Sequence, residues 1–568
     1  MLLLNLKQQL ASLLAVNPDD FVYPPQAELG DLSLPLFAEA KISGKNPAVL
    51  AREKLGFLEG AVLPAAVKSF QAVGPYLNFF LAADVFNAAS VEDVLSAGEN
   101  FGKTDDGQGL RVMLEYSNAN THKEYHIGHL RNLFFGDAVC RLLAFNDYRA
   151  IPVSYINDFG IHVAKTLWQW QRADYKDSDA PKGWLLGKCY AEASGLLLQA
   201  EVKEDGGAEK EEMKKEISAV MKEIESRQGK NYGLWQETRD WSIAYFAGIY
   251  RRFGVKFEHI FYESEVIGDG LKMAAEFLER GILKNSRGAV IADLEEYGLG
   301  VLPIIRSDGT ALYPVADLAL AKLKFNDYHL DESVYIVDIR QGLYFKQLEK
   351  IFELAGENFK ISHLGYDFVT LKSGMMSSRS GNVITYSQVW EEAFARARKE
   401  VADRHDDWSD DKIGGVAEKL SVAALKFEML KVSADKVITF DMDEALRFDG
   451  FTAAYLQYTG ARLSSILRKG GESPADYSLL SNPKELSLSL MIQRFSEIAS
   501  KAGFQRDPSV VARYLFDLSQ IFNDYYHEVP IMKADPAVRA ARIGLLRSLR
   551  QVLNNGFVLL GFDYLEEM

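Results

Sequence analysis

Cysteine is nearly absent from this sequence, with Cys140 and Cys189 the only two among 568 residues. Two thiols can build neither a disulfide framework nor a four-thiolate zinc site, so both are expected to be reduced, and no zinc is expected. Cys140 should pack as a small hydrophobe within Val139-Cys140-Arg141-Leu142-Leu143. Long apolar runs are missing as well, and none approaches the roughly 20 residues that span a bilayer. The start, Met1-Leu2-Leu3-Leu4-Asn5-Leu6-Lys7, has neither the basic region nor the apolar run and cleavage site of a signal peptide. A cytoplasmic protein with no membrane partner is expected. Positive charge is also in deficit, 64 Lys and Arg against 79 Asp and Glu, for a net charge of −15. That balance does not exclude RNA, because a large RNA touches only a stripe of surface and needs only a local basic track.

What the chain does have is apolar bulk, 48% of its residues, and a length beyond a single core, so several domains are expected. Residues 1–105 read as a small α+β domain, with Glu28-Leu29-Gly30-Asp31-Leu32, Gly44-Lys45-Asn46-Pro47 and a strand-like alternation from Val73 to Phe80. A polar linker runs from Gly98 to Gly109. Over residues 106–400, β-rich runs such as Val153-Ser154-Tyr155-Ile156 and Val334-Tyr335-Ile336-Val337 alternate with amphipathic helices. This is the pattern of an α/β, doubly wound parallel sheet of Rossmann type. An insertion is expected at about 171–300, where the charged block Glu201 to Lys222 mixes acids and bases as a solvated helix face does. Residues 401–568 are helical in pattern. Leu456, Leu463, Ile466 and Leu467 form one stripe of a helix starting near Thr452, and Leu545, Leu546, Leu549, Val552 and Leu553 form another. Core packing is the expected role of both stripes, whereas Arg539, Arg542, Arg547 and Arg550 fit either RNA phosphate or a solvated face.

The chemistry concentrates after the apolar run Val112 to Leu114. Glu115-Tyr116-Ser117-Asn118-Ala119-Asn120-Thr121-His122-Lys123-Glu124-Tyr125 leads into His126-Ile127-Gly128-His129 at a predicted helix start. Imidazoles can donate hydrogen bonds to phosphate oxygens, Gly128 lets a flat base approach the backbone, and a helix N-terminus favours anions. Downstream stand Asn157-Asp158-Phe159-Gly160, then Arg306-Ser307-Asp308-Gly309-Thr310 with Tyr313 and Asp317, and then Gln341. Tyr313 and Asp317 share a helix face at spacing four. A carboxylate there suits the planar donor fork of a guanidinium better than the compact ammonium of lysine.

In order and spacing, these separated motifs resemble the class I aminoacyl-tRNA synthetases, specifically the arginyl family. The N-terminal segments named above resemble that family's extra domain, and Tyr455 to Lys469 and Gln551 to Gly561 its anticodon-binding domain, so the resemblance covers nearly the whole chain. The resemblance implies ligation of L-arginine to tRNA(Arg) through an adenylate made from ATP with release of pyrophosphate. It assigns arginine binding to Glu115, Ser117, Asn120, His126, Tyr313, Asp317 and Gln341, and catalysis to Lys123, His126, His129 and Arg379. ATP binding falls to His126, Gly128, His129, Met376, Ser377 and Ser378. Mg²⁺ should accompany ATP through its phosphate oxygens, with no dedicated metal site on the protein. The N-terminal domain would contact the tRNA elbow and the C-terminal bundle the anticodon, in a protein expected to be monomeric. One signature departs from the family form. In Gly374-Met375-Met376-Ser377-Ser378-Arg379-Ser380-Gly381-Asn382, Met375 and Ser378 take the two lysine positions of the mobile loop. In such members a lysine three residues before the first histidine is thought to substitute, and Lys123 stands there. The alternative reading is a catalytically impaired tRNA-binding regulatory paralogue.

Overall fold

In the computed structural model, which describes residues 2–175, 178–202, 206–371, 384–471 and 473–568, the N-terminal part is built on a small antiparallel sheet. Its strands β1 (Leu32–Pro35), β2 (Val67–Val73) and β3 (Tyr76–Leu81) lie in the order β1-β3-β2. Gly74 takes φ +57° in the two-residue turn between β2 and β3, a conformation that glycine adopts without strain. Leu3, Leu6 and Leu10 of the first helix pack with Phe79 and Phe86 to close this core.

Five parallel strands form the central sheet: β4 (Arg111–Glu115), β5 (Arg149–Ile156), β6 (His259–Tyr262), β10 (Glu332–Asp338) and β11 (Ile361–Tyr366). A separate antiparallel sheet of β7 (Lys284–Ser286), β8 (Ala289–Leu294) and β9 (Gly300–Ile305) interrupts them in sequence. The order of the central sheet is β11-β10-β4-β5-β6. The chain therefore starts in the middle, winds outward to β6, then returns to the other side of β4. Val112, Leu114, Val334 and Ile336 are buried, as helices on both faces require. This is the doubly wound sheet expected from the alternating pattern.

The interval 171–300, expected as one insertion, also contains β6. A helical excursion, Lys182–Val202, Gly206–Glu225 and Lys230–Arg252, precedes that strand and packs Ile217, Val220, Ile224 and Trp235 together. Four residues at a sheet edge carry too short an apolar run to stand out among charged helices. The C-terminal part is helical, and its predicted stripes are buried. The Ala453–Gly470 helix begins where expected because the Thr452 side chain accepts from the Tyr455 amide. Arg542 is committed internally, 2.7 Å from buried Glu485. Strand β12 (Val369–Leu371) pairs in parallel with β13 (Ile438–Phe440), which joins the chain on either side of residue 400.

Candidate active site

Ligands of doubly wound folds bind beyond the carboxyl ends of the strands, where neighbouring connections leave in opposite directions. Here that point lies between β4 and β10, and a cavity of about 560 Å³ opens there. One end is formed by the start of the Ile127–Phe145 helix, with His126, Gly128 and His129. The other is formed by Glu115, Tyr155, Glu263, Tyr313 and Asp317. Gln341, exposed after β10, also lines it.

The two histidines hold each other. The His126 amide donates to His129 Nδ1 at 3.2 Å, and the His129 amide donates to His126 Nδ1 at 3.3 Å. An accepting Nδ1 carries no proton, so in both rings the proton sits on Nε2, free to donate to a ligand. The rings stack with centroids 3.6 Å apart. Burial, and to a smaller degree Lys123, pushes His126 down to about 4, and burial with the charges of His126 and Lys123 pushes His129 well below its ordinary value. Both are neutral donors. Gly128 lies flat against this pair, since a Cβ there would meet the His126 ring at 3.1 Å.

At the opposite end the carboxylates are not equivalent. Glu115 is buried and paired with Lys324, itself fully buried on the Tyr313–Tyr328 helix, and Glu115 Oε1 accepts from Asn118 Nδ2 at 2.8 Å. Burial alone would depress Lys324, but the Glu115 carboxylate holds it above its usual value, and the two form a buried ion pair. Asp317 accepts a hydrogen bond from the Tyr344 hydroxyl. Burial pushes Asp317 up to about 7, against the Tyr344 hydrogen bond and with the help of Glu115. Burial likewise pushes Glu263 up to about 7, with Asp317 and Asp158 adding to it, and Glu263 Oε2 is buried without a hydrogen-bond partner. Glu263 is held in place by Asp158, which accepts from the Ser264 amide at 2.9 Å, the Ser264 hydroxyl at 2.7 Å and Arg239 Nε at 2.5 Å.

Ser117, Asn120 and Lys123 are not among the residues that line the cavity. The Ser117 hydroxyl lies 2.9 Å from Tyr125 Oη and 3.0 Å from Tyr250 Oη, Asn120 bridges Asn157 through the backbone, and Lys123 lies over the Tyr190 ring at 4.9 Å. Positive φ at Ser117 (+60°) and His122 (+61°) twists the loop, so linear spacing does not report which side chains face inward. Asn118 faces the cavity instead. Met376, Ser377, Ser378 and Arg379 lie outside the described residues. Sequence reasoning missed Glu263, Tyr344 and Lys324. A carboxylate directly after a strand was the only available sign of Glu263, while Tyr344 and Lys324 look like ordinary helix residues.

A second, larger groove of about 910 Å³ lies in the helical bundle, where Trp408, Tyr458 and Tyr526 alternate with Lys412, Arg462 and Arg468. The Arg462 guanidinium lies over Tyr458 at 4.8 Å and Tyr526 at 5.4 Å. Among the described residues, no helix is long and apolar enough to cross a membrane.

Comparison with known proteins agrees with this geometry. The family model for the catalytic domain of tRNA synthetases class I (R) matches residues 90–441, and that of the DALR anticodon binding domain matches residues 456–568. An arginine–tRNA ligase of Bdellovibrio bacteriovorus is 34% identical over 555 residues, 96% of this chain and 94% of that protein. One of Treponema pallidum is 31% identical over 562 residues, with 96% and 94% covered. The structure of Thermus thermophilus arginyl-tRNA synthetase superposes with a TM-score of 0.82 at 26% identity, covering 100% of both chains. A sheet whose switch point joins a histidine-bearing helix start to an acidic, aromatic pocket, on a chain matched throughout its length, places this protein in the arginine–tRNA ligase family of class I synthetases.

Proposed function

We propose that this protein ligates L-arginine to tRNA(Arg) in two steps. The arginine carboxylate attacks the α-phosphorus of ATP, forming arginyl-adenylate and expelling pyrophosphate. A terminal ribose hydroxyl of the tRNA then attacks the adenylate carbonyl, and AMP leaves. The observation that carries this reading is the single cavity with a pair of Nε2–H donors at one end and buried carboxylates at the other. Neutral histidines suit the first step, because they stabilise charge growing on phosphate without holding the product as imidazolium would. With Glu115 neutralised by Lys324, Asp317 and Glu263 supply the charge for a guanidinium, and Tyr313 covers it. Gln341 is assigned to the amino and carboxyl end of the substrate. Mg²⁺ enters with ATP, bound through phosphate oxygens. The aromatic and basic groove of the bundle suits unpaired bases, which stack on rings while cations meet phosphate. A catalytically impaired paralogue would have no need of so complete a pocket. Charging total tRNA with each of the twenty amino acids in turn tests the reading, and failure to charge with arginine would refute it.

A further inference from the structure

Arg131 stands two residues after His129 and five after His126, in the Ile127–Phe145 helix, and is 2% exposed, among the largest fully buried side chains of the described residues. Its guanidinium makes no ion pair among the described residues. Instead it donates from Nη1 to the Phe368 carbonyl at 2.8 Å, and from Nη2 to the Ala434 carbonyl at 3.0 Å and the Lys436 carbonyl at 2.8 Å. Those carbonyls precede β12 and β13, so one side chain clamps the entry of both strands of that parallel pair. The Phe368 carbonyl also accepts from the Ile438 amide at 2.9 Å, and the Asp367 amide donates to the Ala434 carbonyl at 2.9 Å. The clamp therefore reinforces a backbone junction rather than replacing one. Phe368 and Val369, the residues it holds, line the same cavity as His126 and Gly128, and Arg131 itself reaches its lining. The Phe368 ring is also held separately, with the Arg340 guanidinium over it at 4.4 Å and in turn paired with Asp338 at 2.7 Å, both of them lining the same cavity.

Burying a cation is costly, and here the direct partners are three carbonyls, with the Tyr366 ring 5.9 Å away and the charges of Asp367 and Asp435 opposing the effect of burial without forming an ion pair. Such an arrangement is retained where geometry, rather than charge, is the requirement. The planar fork of arginine can meet carbonyls from two strands at once, which the single ammonium of lysine cannot. From this the structure assigns Arg131 as a positioning residue for the nucleotide end of the cavity, setting the distance between the histidine-bearing helix start and the Phe368–Val369 wall. The assignment rests on the proposed reading of that end as the ATP site. It predicts an effect on ATP that arginine does not share, because Tyr313, Asp317 and Glu263 are held by other elements.

The test uses the full chain with Arg131→Lys and Arg131→Gln, charging tRNA(Arg) with ATP and arginine varied separately, and with rates taken per active site counted by a single-turnover burst. Partial misfolding then lowers the number of sites without moving either KM. The expected result is a rise in KM for ATP of about tenfold or more in both variants, with KM for arginine within about twofold of the parent. An unchanged KM for ATP, or equal rises for both substrates, overturns the assignment. Absence of arginine charging by the unaltered protein would instead overturn the functional reading on which it rests.

Discussion

At the scale of single residues, the site works through burial more than through the number of charges. Asp317 is the clearest case. Its carboxyl is raised to about 7 by burial, so in the empty pocket it is largely protonated below that pH, and a guanidinium must drive the proton off to pair with it. We expect arginine binding to release a proton at pH 6 and to tighten as pH rises through about 7. Calorimetry in buffers of different ionisation enthalpy measures this directly, and a binding heat independent of buffer would refute it. The sign for stability is the reverse in the free protein. A carboxyl with a raised folded pKa favours the fold at low pH and loses that contribution as pH climbs towards 7, so bound arginine should raise Tm more at pH 8 than at pH 6. Replacing the group removes the counter-charge altogether. Asp317→Ala should lower kcat/KM for arginine by roughly a hundredfold to a few thousandfold, the scale of about 3–5 kcal/mol for breaking a buried pair, with KM for ATP little changed. Steady-state charging at varied arginine decides it, and an unaltered kcat/KM would reduce Asp317 to a structural role.

Elements place these residues by joining segments far apart in sequence. The loop from β4 to the Ile127–Phe145 helix carries Lys123 beside Tyr190 of the helical excursion, and burial, with Lys165 nearby, lowers the Lys123 pKa. We propose that this ammonium, outside the lining of the cavity in the free protein, serves the phosphates of bound ATP, because Ser378 stands where the related signature has lysine. Lys123→Ala should therefore cut turnover by about a hundredfold, with arginine affinity nearly unchanged, and Ser378→Lys should restore part of it. Near-normal turnover of Lys123→Ala alone would eliminate the exchange. Farther along the sheet, Glu332 at the start of β10 meets Arg506 at 2.8 Å and Lys360 at 3.0 Å. Burial would raise its carboxyl, but hydrogen bonds from Arg506, Ser362 and Lys360 and the Arg506 charge hold it down to about 2. A depressed carboxylate contributes stability above its unfolded pKa of about 4.5 and loses it as pH falls towards 2. Glu332→Gln should cost roughly 1–2 kcal/mol at pH 7, a figure reduced from the full shift because solvent screens Lys360. Urea unfolding should show that difference shrinking below pH 4.5, and a pH-independent difference would contradict the linkage.

Across the whole molecule, the helix that carries the histidines is fastened to the C-terminal part of the chain at two levels. Arg131 holds the residues before β13, and two turns further on Asp137 accepts from buried Lys426 at 3.2 Å, whose ammonium also donates to the Gly561 carbonyl at 2.6 Å. Gly561 has φ +78°, and a Cβ there would lie 2.7 Å from Lys426 Nζ and 2.8 Å from Asp137 Oδ2, so a larger residue would crowd that ion pair. We propose that a ligand seated on the bundle biases the geometry at the helix start through these contacts. We expect adenylate formation to require tRNA, as induced fit would impose. Pyrophosphate exchange with and without tRNA(Arg) measures this, and vigorous exchange in its absence would exclude the coupling.

Much of this molecule is local in origin and was therefore readable in the chain. Strand and helix alternation, the leucine stripes around Leu456 and Leu549, the Thr452 cap and the His126-Ile127-Gly128-His129 helix start all follow from periodicity and hydrogen bonding between near neighbours. Tyr313 and Asp317 also came out together because spacing four on a helix is a local fact. Packing alone could decide the rest. Glu115 meets Lys324 across 209 positions, Glu263 is aimed by an aspartate 106 residues before Ser264, and the two left-handed residues of the β4 loop turn Asn118 rather than Asn120 into the cavity. The sequence by itself determined which chemical groups the protein carries and the order in which its elements occur. Their charge states, tautomers and directions belong to the tertiary structure, because desolvation and pairing depend on what the remainder of the chain brings alongside them.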